Sequence, residues 1–95
     1  MELLSDAELD AALAGMPGWR REGRMLVRSV EAPSFLAAVK VLQRVALVAE
    51  AREHHPDVDL RHRTVKLALH TWDAGGITAL DVELARALNP LLEGM

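Results

Sequence analysis

Apolar and polar positions follow two different periods along this chain, and each change of period separates one element from the next. Leu9, Ala12 and Leu13 recur at helical spacing behind Ser5-Asp6-Ala7-Glu8, a capping box with Leu4 and Leu9 placed as its hydrophobic staple. A helix is expected there, ended by Gly15 and kept from resuming by Pro17 and Gly18. From Trp19 to Glu31 the period drops to two. Met25, Val27 and Ser29 alternate with Leu26, Arg28 and Val30, and Glu22-Gly23-Arg24 divides the stretch into a β-hairpin, with Trp19 as a core or interface anchor. Pro33 and Ser34 then open the longest helical run, in which Phe35, Val39, Leu42, Ala46 and Ala49 form a stripe expected to lie on the sheet.

After His54-His55-Pro56 the period returns to two. Val58, Leu60 and His62 fall on one side of a third strand, with Asp59 and Arg61 on the other. Val65, Leu67 and Leu69 alternate with Lys66, Ala68 and His70 in a fourth, paired with the third through a turn near Arg63. Asp73-Ala74-Gly75-Gly76 breaks this strand. Thr78-Ala79-Leu80-Asp81 is a second capping box, stapled by Ile77 and Val82, and opens a last helix that runs to about Leu88 before Asn89-Pro90 stops or kinks it. Val82, Ala85 and Leu88 or Leu84 supply its core face. The order α-β-β-α-β-β-α predicts an α+β fold: one domain over residues 1–95, a four-stranded antiparallel sheet and helices packed on one face.

Composition narrows the function. At 95 residues the chain fits one domain, and a domain this small is marginal alone, so oligomerisation would help. The long helix carries additional apolar residues, Leu36, Val41, Val45, Leu47 and Val48, which are covered either by a curving sheet or by another subunit. A formal net charge of -3 gives no electrostatic footprint for nucleic acid. With no cysteine, disulfides and thiolate chemistry are excluded. No leader is apparent and no stretch reaches the ~18 apolar residues of a membrane span, so a soluble cytoplasmic protein without membrane contact is expected.

The chemistry concentrates at Glu50-Ala51-Arg52-Glu53-His54-His55-Pro56, where two imidazoles fall between a helix and a strand. Pro56 pushes His55 toward extended geometry, so the two rings diverge and can touch different parts of one ligand. The competing reading makes His54 a cationic cap at a helix C-terminus. No metal-ligand pattern is present, and no metal site is expected. Glu50, one turn before His54, either holds that ring or is a solvated carboxylate. Asp81 occupies the N3 position of its capping box, a structural role.

The spacing of Glu50, His54-His55-Pro56, Trp72 and Asp81, with Trp72-Asp73-Ala74-Gly75-Gly76-Ile77-Thr78 between them, resembles the signature of the pterin-4a-carbinolamine dehydratase family. The likeness covers nearly the whole chain, and the predicted element order is also that family's fold. It departs at two positions. His62 stands where the family has an aromatic residue, and Trp72, an accepted variant, stands where the best-studied subgroup has a third histidine.

The resemblance implies a hydro-lyase that dehydrates 4a-hydroxytetrahydrobiopterin to quinonoid dihydropterin in tetrahydrobiopterin recycling, with no cofactor. His54 and His55 would be catalytic. His54, His55, Pro56, Thr71, Trp72, Asp73 and Ala74 would bind substrate, and Glu50 and His70 are candidates for support, His70 because it shares a face with Trp72. An indole does not exchange protons as imidazole does, so the reaction would run on two histidines. The resemblance also implies a homo-oligomer, a dimer or tetramer built by sheet edges and helix packing. The alternative it carries is a non-catalytic interaction module, since relatives of this fold act as dimerisation cofactors of a homeodomain transcription factor or as Rubisco assembly factors.

Overall fold

The computed structural model describes residues 2–94, so the outermost residues of the expected 1–95 domain lie outside the described ones. Its elements are α1 (Asp6–Ala14), β1 (Arg20–Glu22), β2 (Met25–Glu31), α2 (Phe35–Arg52), β3 (Asp57–Arg61), β4 (Thr64–Leu69), a single 3-10 turn (Trp72–Ala74) and α3 (Ala79–Glu93). This is the α-β-β-α-β-β-α order expected. The four strands form one antiparallel sheet in the order β1-β2-β4-β3, which leaves β1 and β3 as edges.

Register follows from the alternation. Leu26 stands opposite Leu69, Val30 opposite Val65, and Leu60 opposite Val65 from the other side, so the apolar positions of three strands share one face. Leu26, Val65, Leu67 and Leu69 are fully buried there, under Leu84, Ala85 and Leu88 of α3 and Ala38, Val45 and Ala49 of α2. Burying a Leu side chain contributes roughly 1.5–3 kcal/mol, so this single layer carries most of the fold. The first helix is capped as its sequence requires. Glu8 N–H donates to the Ser5 hydroxyl, and Ser5 N–H donates to the Glu8 carboxylate, which holds that carboxyl below its usual range. Trp19 is a core anchor whose indole N–H donates to Asn89 Oδ1 at 2.6 Å, and Arg28 donates to the same oxygen at 2.9 Å.

Three expectations are corrected. The buried stripe of α2 is Ala38, Val41, Val45 and Ala49; of the expected stripe only Ala49 belongs to it, while Phe35 and Ala46 are exposed and Val39 and Leu42 half-buried. A helix apolar on most sides gives its period no preferred face, and the packed core selects the row through Ala38, Val41, Val45 and Ala49. His62 is not part of β3. It occupies the two-residue turn between Arg61 and Thr64 with φ of 55°. Finally, α3 continues through Pro90 to Glu93. Proline removes one backbone donor, but continuation buries Leu92, and that burial offsets the lost bond.

Candidate functional site

The C-terminus of α2 ends in a left-handed residue, Glu53, with φ of 51°. Glu53 N–H donates to Glu50 O and His54 N–H to Ala49 O, the paired bonds of a Schellman motif. This reversal carries His54 back toward the start of α3 and sends His55 outward, with Pro56 committing the chain to β3. The two rings therefore diverge into different surroundings.

His54 is nearly enclosed, its side chain 13% exposed, and its Nε2 lies 2.6 Å from Asp81 Oδ1. Asp81 is fully buried. Its other oxygen accepts from Thr78 N–H at 2.8 Å and from the Thr71 hydroxyl at 2.9 Å, and the Thr71 and Thr78 hydroxyls lie 2.7 Å apart. A buried carboxylate is tolerable only when its lone pairs are filled, and this one receives two protein donors besides the imidazole. With Asp81 as acceptor, an uncharged His54 presents its Nε2–H to it and keeps its lone pair on Nδ1. Asp81 is thus both the N3 residue of the α3 capping box, as its spacing requires, and the partner of His54. The helix-cap reading of His54 gives way, because its ring bonds a carboxylate and not the last carbonyls of α2.

His55 is more exposed, with Nε2 3.1 Å from Glu50 Oε2. The i,i+4 contact expected between Glu50 and His54 is replaced by this i,i+5 pair, since the left-handed turn at Glu53 swings His54 away from the outer face of α2. Trp72, on the 3-10 turn after β4, is 82% exposed. His70 meets its ring edge-on at a centroid distance of 6.0 Å, with Nδ1 3.8 Å from Asp57 Oδ2. The indole thus presents a flat apolar face to solvent.

These groups line one cleft of about 490 Å³, bounded by Glu53, His54, His55, Asp57, His70, Thr71, Trp72, Asp73 and Leu80. Of the residues expected to bind substrate, His54, His55, Thr71, Trp72 and Asp73 meet here, joined by the support candidate His70. Pro56 instead lines an apolar depression with Leu42, Ala46 and Val58, and Ala74 lines a third with Leu3 and Ile77. Glu53, Asp57 and Leu80 reach the cleft without having been singled out from the sequence. For Glu53 the missing signal was the left-handed cap, and for Asp57 the start of β3 beside β4. No group of three histidine or carboxylate side chains converges in a metal-holding arrangement among the described residues.

Comparisons with known proteins identify the family. The family described as Pterin 4 alpha carbinolamine dehydratase matches residues 2–91. A protein of Mycolicibacterium smegmatis named "Putative pterin-4-alpha-carbinolamine dehydratase" is 49% identical over 92 residues, covering 97% of this chain and 98% of its own. A protein of the same name from Nocardia farcinica is 48% identical over 90 residues, 95% of each. The crystal structure of a transcriptional coactivator/pterin dehydratase from Brucella Melitensis superposes with a TM-score of 0.91 at 29% identity, covering 96% of this chain and 99% of that one. The family match over residues 2–91, the identity to these relatives and the shared topology agree, and the chain belongs to the pterin 4 alpha carbinolamine dehydratase family.

Proposed function

We propose that the chain is a 4a-hydroxytetrahydrobiopterin dehydratase, with His54 and His55 as its catalytic pair. The observation that carries this is the 2.6 Å bond between His54 and a buried Asp81 that also accepts from Thr71 and Thr78, at the wall of a cleft that holds His55 and the exposed Trp72. Dehydration breaks the C4a–O bond of the carbinolamine. The departing hydroxyl takes a proton and leaves as water, while a ring nitrogen loses its proton and forms the C=N bond. One imidazole must accept a proton and another must deliver one, work typically worth about 10²–10⁴-fold.

The surroundings favour His54 as acceptor. Asp81 orients its ring, leaves Nδ1 available and offsets the charge the imidazole acquires, as a carboxylate does for a catalytic histidine elsewhere. His55, in contact with solvent and with Glu50, exchanges protons readily and is assigned the donation to the leaving hydroxyl. Trp72 stacks on the pterin, and Thr71 acts through Asp81.

The test is a dehydration assay with 4a-hydroxytetrahydropterin on wild type, His54→Ala and His55→Ala. Wild type should exceed the spontaneous rate and each variant should fall toward it; a wild-type rate equal to the spontaneous one refutes the enzyme reading. That result would leave the non-catalytic interaction role, which the coactivator description of the Brucella protein favours. Exposed Phe35, Leu36 and Leu47 on α2 and Val58 on edge strand β3 support a homo-oligomer, and a monodisperse monomer in light scattering would rule it out.

A further inference from the structure

Trp72 and His70 are shared walls. On one side lies the cleft of the two histidines, and on the other a depression of about 360 Å³ lined by Arg24, Met25, His70, Trp72 and Gly75. Sheet register explains why the two depressions adjoin. Leu26 pairs with Leu69 and Asp57 with Ala68, so continuing each ladder sets Met25 on one side of His70 and His55 on the other. Two strand spacings, about 9–10 Å, separate those flanks.

The halves differ in charge. Glu53, Asp57 and Asp73 line the histidine side, whereas the second side has no carboxylate and one basic residue, Arg24, which also borders the depression holding Leu3 and Ile77. Arg24 shares the two-residue turn between β1 and β2 with Gly23, whose φ of 59° the turn requires. Arg20, Arg21, Arg61 and Arg63 each engage a carboxylate, but Arg24 has no ion-pair partner among the described residues. Met25 and Trp72 give this side an apolar lining beside Arg24. A ligand with its ring at the histidines and a negative tail reaching past Trp72 therefore has that tail repelled on the histidine side and attracted on the Arg24 side.

We propose that the depression beyond Trp72 is a binding subsite for an anionic substituent on the pterin ring, phosphate or carboxylate, and that Arg24 selects it. The inference rests on the pterin reading of the histidine cleft. Arg24 acts on affinity for the substituent and takes no part in proton transfer, so its removal lowers discrimination between pterins without lowering the maximal rate on a neutral one.

The test is calorimetric titration at low ionic strength with 7,8-dihydroneopterin, its monophosphate and dihydrofolate. Wild type should bind one or both anionic probes about fivefold more tightly than dihydroneopterin, the gain expected of an exposed ion pair, and the gap should close as salt is added. The tighter of the two anionic probes identifies the tail as phosphate or carboxylate. Arg24→Gln should abolish the gap and leave dihydroneopterin affinity unchanged, while Arg24→Lys should keep part of it. Equal affinities in wild type, or a gap that survives Arg24→Gln, would overturn the subsite alone. Failure of dihydroneopterin itself to bind would overturn the pterin reading and the subsite together, and the first titration separates the two cases.

Discussion

Replacing Asp81 with asparagine preserves the side chain's volume, yet the groups around it make incompatible demands on an amide. The carboxylate accepts from Thr78 N–H and the Thr71 hydroxyl on Oδ2 and meets His54 Nε2 on Oδ1. An amide has one oxygen. Turned toward Thr78 and Thr71 it keeps the cap of α3, and its NH2 group then faces His54 and forces Nε2 to become an acceptor. The imidazole proton moves to Nδ1, the nitrogen assigned to catalysis. Charge-assisted bonds become neutral ones, a loss of about 1–2 kcal/mol in stability. The rate should fall about 10²–10⁴-fold, the full contribution of one general base. Asp81→Ala should be far less tolerable, since Thr78 N–H and the Thr71 hydroxyl lose a buried acceptor at about 1–3 kcal/mol each. Urea unfolding measures the stabilities, initial-rate kinetics the activity, and nitrogen chemical shifts of His54 the tautomer. An Asp81→Asn variant with reversed tautomer and wild-type rate would refute the assignment of His54 as proton acceptor through Nδ1.

Other consequences follow from single residues. Trp72→Ala should change stability by less than about 0.5 kcal/mol, because the indole is almost wholly exposed, yet weaken dihydropterin binding by about 1–3 kcal/mol if the ring stacks there; urea unfolding and calorimetry read the two effects separately. Glu53→Gly places the residue that a left-handed cap prefers at φ of 51° and should stabilise the fold by about 0.5–1 kcal/mol, seen as a raised urea midpoint with an unchanged slope. Leu88→Ala, at a fully buried position of α3, should cost about 2–5 kcal/mol by the same measurement.

What the sequence revealed depended on how uniquely each signal determined its geometry. Both capping boxes are local and reciprocal, so Ser5-Glu8 and Thr78-Asp81 formed as their spacing dictated. The strands were legible because Val65, Leu67 and Leu69 leave only one face to bury. The buried side of α2 was not, since apolar residues surround most of that helix and the choice among them is made by the shape of the sheet. Similarly, Pro90 marked a helix end by local rule, whereas burial of Leu92 decided otherwise. At the site, the pairing of adjacent histidines with Trp72 was readable. Exchange of partners was not: a left-handed Glu53 delivered Glu50 to His55 and Asp81 to His54, and nothing in glutamate announces a positive φ.

The oxygen of Asn89 has implications for the order of folding. It receives the indole of Trp19, 70 residues earlier, and the guanidinium of Arg28, 61 residues earlier. Those bonds exist only with α3 docked, so they tie the β1–β2 hairpin to the last helix across a long stretch of sequence. Contacts of such sequence separation slow the search for the native state. Asp81 and Asn89 lie on the same helix, so the docked position of α3 that joins Asn89 to Trp19 also sets Asp81 beside His54. A chain caught before α3 docks has neither a closed core nor a positioned imidazole, and appearance of activity during refolding should coincide with burial of Trp19.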